Sequence, residues 1–182
     1  MDREKAINLA LEKGAYKATV ISVDDVVTSS YFRDVCATGS CGHYGRCWMC
    51  PPDVGPVEEL MAQLRQFSHG LLYQTVYELE DSFDIEGMGE SAVRHAKISR
   101  EIEKELKPLF ENGYLHLICG HCGYCKRCAK LDDKPCYFPE EARPSLEAYG
   151  VDVYQTVKNT DLKYINGADT VTFFSMILFS EE

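Results

Sequence analysis

The stretch Tyr114-Leu115-His116-Leu117-Ile118-Cys119-Gly120-His121-Cys122-Gly123-Tyr124-Cys125-Lys126-Arg127-Cys128 joins two physical regimes without a break. Its first five residues, apolar or aromatic apart from one histidine, read as a short buried strand. The next ten place a cysteine at every third position, with Gly120 and Gly123 between them. Back-to-back C-x2-C steps converge thiolates on metal, and the glycines permit the close approach and unusual dihedrals that such a loop needs. The same glycines weaken the alternative of a cysteine stripe along one helix. A strand running straight into a metal-binding loop is therefore the unit from which the fold is built.

Upstream, Val93, Ala96, Ile102, Leu106 and Leu109 recur at multiples of three to four among Lys, Arg and Glu. This predicts an amphipathic helix over Ser91–Glu111, about 30 Å long, stopped by Asn112-Gly113. Residues 2–13 read as a helix closed by Gly14, and Tyr16–Val23 as a β-branched strand. Residues 24–55 read as irregular backbone around a first cysteine group, followed by a helix from Pro56 to Phe67 and a strand from His69 to Leu79. Downstream come a short helix from Pro144 to Gly150, a further turn around Val153–Lys158, and a last strand, Thr170–Phe179. This order predicts an α/β (α+β) class: a single mixed sheet of about four strands, crossover helices and two cysteine-rich loops, 36–52 and 119–139, in one domain over 1–182. Each cysteine group follows a strand, so both are expected beyond carboxyl ends at one end of the sheet.

The chain has 182 residues, 45% of them apolar, which is ample for a core that does not rely on disulfides. Its cysteine count is odd, at nine, and Met1-Asp2-Arg3-Glu4-Lys5 leads into no apolar export segment. The expectation is a cytoplasmic protein whose clustered thiols bind metal. The longest apolar stretch, Val171–Phe179, is too short to span a bilayer, so no membrane partner is expected. A net charge of −10, with no Lys/Arg run beyond two residues, disfavours nucleic acid. A redox partner protein is the expected partner, reached through charge complementarity.

In the C-terminal group, Cys122, Cys125 and Cys128 followed by Cys136 match the ferredoxin-type arrangement for a [4Fe–4S] cluster. Cys119 is either a substitute ligand or lies outside the ligand set. Zinc is the competing reading, although structural zinc prefers two C-x2-C pairs roughly a dozen or more residues apart. The N-terminal group, Cys36-x4-Cys41-x5-Cys47-x2-Cys50-Pro51-Pro52, offers four more thiolates for a second cluster or a zinc ion. Its Cys-Pro ending allows a crossed pairing, in which Cys50 completes the C-terminal cluster and Cys136 serves the N-terminal one. Both pairings stay open on spacing alone. His43 and His121 lie inside the groups as ligands or bystanders, and Trp48, Tyr44, Tyr124 and Tyr137 flank the thiols as screens against water. His69, His95 and His116 have no metal partner at strand or helix spacing and read as structural.

Two segments carry a resemblance. The first is Cys36 and Cys41 followed by Tyr44-Gly45-Arg46-Cys47-Trp48-Met49-Cys50-Pro51-Pro52. The second is Cys122 through Cys128, Cys136, and then Ala142-Arg143-Pro144-Ser145-Leu146-Glu147-Ala148-Tyr149-Gly150-Val151-Asp152-Val153. Together they resemble a bacterial and archaeal family of predicted metal-binding proteins of unknown function, over nearly the whole chain. The resemblance implies metal or iron–sulfur binding at Cys36, Cys41, Cys50, Cys122, Cys125, Cys128 and Cys136. Cys47 and Cys119 stand where that pattern does not demand cysteine. Arg143 and Glu147, one turn apart, read as an i,i+4 pair bracing a short helix, the alternative being that they orient a ligand.

No nucleotide-binding or nucleophile-elbow fingerprint is present. The leading expectation is thus an iron–sulfur protein with one or two [4Fe–4S] clusters in electron transfer or redox relay. One alternative is an enzyme with an open iron site, in which Cys136, Cys50 or Cys36 is off the metal and His43, His121, Arg143 or Glu147 faces a small molecule. The other is a zinc-stapled interaction module.

Overall fold

Two ten-residue strands, β2 (His69–Glu78) and β4 (Thr170–Phe179), pair antiparallel along their whole length. The computed structural model describes residues 2–181. β1 (Lys17–Ser22) pairs with the free edge of β2 and β3 (Tyr114–Leu117) with that of β4, giving a four-stranded sheet of order β1-β2-β4-β3. Side chains of a strand alternate between faces, so each strand feeds two cores. Leu72, Phe174, Met176 and Leu178 point to one, where Leu60 and Leu64 of α3 (Val57–Leu64) meet Leu146, Tyr149 and Val151. Leu71, Tyr73, Ile177 and Phe179 point to the other, against Ala6 and Ala10 of α1 (Arg3–Glu12) and Ile102 and Leu106 of α4 (Ile85–Leu106). Small alanines on α1 let that helix lie close on the sheet, and the Asp2 side chain caps it by accepting from the Glu4 and Lys5 amides.

The expected class is what the chain forms: helices on a single four-stranded sheet with two cysteine-rich loops. All three ladders are antiparallel, and the parallel component is an isolated bridge, Ile118 with Ser145. β2 and β3 do run in the same direction, with β4 inserted between them, so α4 is a true crossover helix.

Antiparallel pairing corrects one expectation about the site. Ser22 at the end of β1 lies in the row of His69, Phe179 and Tyr114, which is where β3 begins. The carboxyl ends of β1 and β3 are therefore at opposite ends of the sheet. The first cysteine loop reaches the second by crossing a face: Thr28 bridges to Val151, and the Ser29 amide donates to the Gly150 carbonyl at 2.7 Å. Arg65 pins this crossing, donating to the Val26 carbonyl and to Thr28 Oγ1 at 2.7 and 3.4 Å. Three helical segments also differ from expectation. α4 starts at Ile85, earlier than its periodicity indicates, because Asp84 caps it by accepting from the Gly87 amide at 2.8 Å. A short helix, α2 (Tyr31–Ala37), lies in the stretch read as irregular. The region from Pro144 to Gly150 forms only a single tight turn at Glu147–Tyr149, and α5 (Val153–Val157) follows it. No helix among the described residues is long and apolar enough to cross a membrane.

Candidate metal centre

The segment Arg143–Gly150 is the platform of the site. Through the Ile118–Ser145 bridge it lies beside the strand end that launches the second cysteine loop, and its tight turn packs on α2, which leads into the first. Arg33 of α2 donates to the carbonyls of Ala148 and Gly55. Both cysteine groups are thus brought to one place, although they leave the sheet from opposite ends.

There the thiols divide unequally between two adjoining cavities. Cys122, Cys125, Cys128 and Cys136 line the larger, about 430 Å³, and Cys47 from the other loop joins them. Cys36, Cys41 and Cys50 line the smaller, about 380 Å³, together with Ser145 and Glu147 of the platform. His43 and His121, one from each loop, stack at 3.6 Å between ring centres and line both cavities. All nine cysteines are free thiols. Among the described residues no group of three or more His, Cys, Asp or Glu side chains is arranged to hold a single metal ion.

Cys47 and Cys50 show how one C-x2-C step serves two cavities. The Cys50 amide donates to the Cys47 carbonyl at 3.0 Å, closing a tight turn. The Cys47 sulfur lies beside the Cys50 thiol and faces the amides of Met49 and Cys122 and the thiol of Cys128; together these pull the Cys47 pKa down. Buried beside Cys47, Cys41 and Cys36, Cys50 is pushed up. An anionic sulfur supported by backbone amides is the electrostatic setting of a thiolate ligand. Cys119 is the opposite case. It lines neither cavity, and burial pushes its thiol up to about 12.

Contacts between the loops hold the larger cavity together. Trp48 donates its indole N–H to the Lys134 carbonyl at 2.9 Å, with the Lys130 ammonium 4.4 Å above its ring. Lys130 also pairs with Asp53 at 2.6 Å. From α4, Arg100 donates to the carbonyls of Cys122 and Glu141 at 3.0 and 3.2 Å and lies over Tyr124. Sequence reasoning missed Arg100; its only trace there is a basic residue on a helix face, shared with many solvated positions. Of the expected aromatic screens, Trp48 and Tyr124 line the larger cavity and Tyr44 the smaller, whereas Tyr137 lines neither. Gly120 and Gly123 take φ of 69° and 58°, the left-handed backbone anticipated for this loop.

A model of the family "Predicted metal-binding protein (DUF2284)" matches residues 19–179, which include every thiol of both cavities. The chain belongs to this family of predicted metal-binding proteins. Neither the curated proteins nor the solved structures include a match. The family identity gives metal binding a basis independent of the geometry and leaves the choice of metal to chemistry.

Arg143 does not pair with Glu147. It turns to α4 and binds Glu103 at 2.5 Å, opening a buried polar chain: Glu103 faces His116 Nδ1 at 2.9 Å, and His116 Nε2 meets Tyr73 Oη at 2.9 Å and Ser99 Oγ at 3.0 Å. Burial alone would raise the Glu103 carboxyl, but His116 and Arg143 outweigh it and hold it at about 2. His95 sits nearby between Thr75 Oγ1 and Ser175 Oγ, each at 2.8 Å. These two histidines lie in the core network, as their spacing indicated. Glu147, freed of Arg143, faces the smaller cavity beside Ser145.

Proposed function

We propose that the chain is an iron–sulfur protein whose two adjoining thiol-lined cavities hold one or two [4Fe–4S] clusters and pass electrons between partner proteins. The carrying observation is the ring of five cysteines from both loops around one cavity, next to a second three-cysteine cavity across the His43–His121 stack. Five thiols lining a cavity of some 430 Å³ offer more donors than a single ion needs and suit a polynuclear group. A four-coordinate zinc would draw its sulfurs to about 2.3 Å from one point. Cys47, Cys122, Cys125 and Cys128 would hold the cluster of the larger cavity, with Cys136 beside them. When bound, such a group supplies one-electron chemistry. The chain's own residues orient the thiolates, and Trp48, Tyr124 and Phe138 limit water at the larger cavity. A second reading, an enzyme with an open iron, is favoured by the smaller cavity, where three thiols face Glu147 and no fourth cysteine.

The test is iron, zinc and acid-labile sulfide per chain, with reductive titration, on protein purified without oxygen. About eight iron and eight sulfide are expected for two clusters, and about four of each for one, in either case reversibly reducible. Zinc without sulfide overturns the reading in favour of an interaction module.

A further inference from the structure

The two cavities differ in more than their thiol count. Arg46, Lys126 and Arg127 line the larger. No lysine or arginine lines the smaller, whose ionisable groups besides its thiols are Glu147, His43, His121 and Tyr44. Arg33 is near Cys36 but spends its guanidinium on two carbonyls and does not face the space. With no lysine or arginine in its wall, this cavity offers an anion no ion-pair partner. Phe32, Val35, Tyr44 and Pro51 supply apolar lining. At about 380 Å³ it is within the range of small-ligand pockets.

We infer that the smaller cavity is a binding site for a compact, uncharged and mainly apolar molecule carrying one nitrogen or sulfur donor atom. The donor atom approaches the group held by Cys36, Cys41 and Cys50 at the position no cysteine fills, while the apolar body rests on Phe32 and Val35. Ser40 and Ser145, both in the wall, offer hydroxyls to a polar substituent. The inference rests on the iron–sulfur reading above, and it assigns the smaller cavity a role that a relay does not require.

The experiment uses the full chain carrying its iron and sulfide, titrated with 1-methylimidazole as the neutral donor and with acetate as the anionic one. Mössbauer and EPR spectra are the readout. The expected result is that 1-methylimidazole shifts a single iron subsite, that acetate at the same concentration does not, and that Val35→Trp weakens the response at least about tenfold at unchanged iron content. Val35 is 44% exposed, so a larger side chain there fills the cavity without invading a core. Ser40→Phe, on the exposed rim, is the second variant should the first misfold. Iron and sulfide in place with no response to 1-methylimidazole overturns the inference and leaves the relay standing. An equal response to acetate, or an undiminished one in both variants, also overturns it. Absence of iron and sulfide instead brings down the reading beneath it.

Discussion

His95 shows how a side chain with no part in metal binding sets the acid limit of the fold. Burial and the neighbouring His116 lower its pKa to about 4. The unfolded chain therefore takes up a proton near pH 6.5 that the folded chain refuses until about pH 4. Where the unfolded state binds more protons, stability rises with pH. The contribution is complete above pH 6.5 and is lost as pH falls toward 4, amounting to something on the order of 3 kcal/mol for a shift of this size. Replacing His95 with Gln keeps a donor and an acceptor between Thr75 and Ser175 but removes the titration. Urea unfolding from pH 7 to pH 4.5 should show a steep loss in the wild type and a clearly flatter one in His95→Gln; parallel profiles would contradict the account. Glu103, held at about 2, adds a second loss of the same sign below the ordinary carboxylate range. Gln74 gives the converse case. Fully buried in β2, it has no hydrogen-bond partner for either amide atom among the described residues. An unsatisfied buried polar group costs about 1–3 kcal/mol, so Gln74→Leu should raise the unfolding free energy, measured by urea titration, by about 1 kcal/mol or more.

The turn at Glu147–Tyr149 and its closing Gly150 hold the platform against both loops, and their geometry leaves no room for a side chain. Gly150 has φ of 70°, and a Cβ there would lie 2.9 Å from the Ser29 carbonyl oxygen, the chain that carries α2. Gly150→Ala should cost about 1–3 kcal/mol and, because it pushes α2 outward, lower metal retention at the smaller cavity first. Thermal unfolding alongside metal content distinguishes this from a plain loss of stability. Such contacts explain what could be read in advance. The apolar recurrence of Ile102 and Leu106 marked α4, and the long apolar stretch Val171–Phe179 marked β4, since burial on one stripe or two faces writes itself into sequence. α2 left no such mark because none of its residues is buried. The start of α4 was hidden by Gly87 and Gly89, and Asp84, its cap, was the one available signal. The Glu103–Arg143 pair joins residues 40 apart, and no local spacing announces it.

Which thiols share a cavity depends on how two loops from opposite ends of a sheet meet. C-x4-C and C-x2-C spacings put Cys47 and Cys50 in one group, and the family pattern gave preference to Cys50. The tight turn between them instead sends Cys47 to the larger cavity with Cys122, Cys125, Cys128 and Cys136, and leaves Cys50 with Cys36 and Cys41. In the lining of the cavities the residue that crosses between motifs is Cys47, while Cys136 lines the same cavity as the rest of its own loop. If each cavity holds its own centre, substitutions should sort by cavity and not by position in sequence. Cys47→Ser should disturb the spectrum of the larger centre and Cys50→Ser that of the smaller, each removing up to about half of the iron and sulfide, with the losses adding in the double variant as for independent sites. Cys119→Ser, at a thiol that lines neither cavity, should leave both contents unchanged. The two serine variants sit three residues apart. If they remove the same signal, and the double variant loses no more than either alone, the cavities share one centre and the division of thiols described here does not govern metal binding.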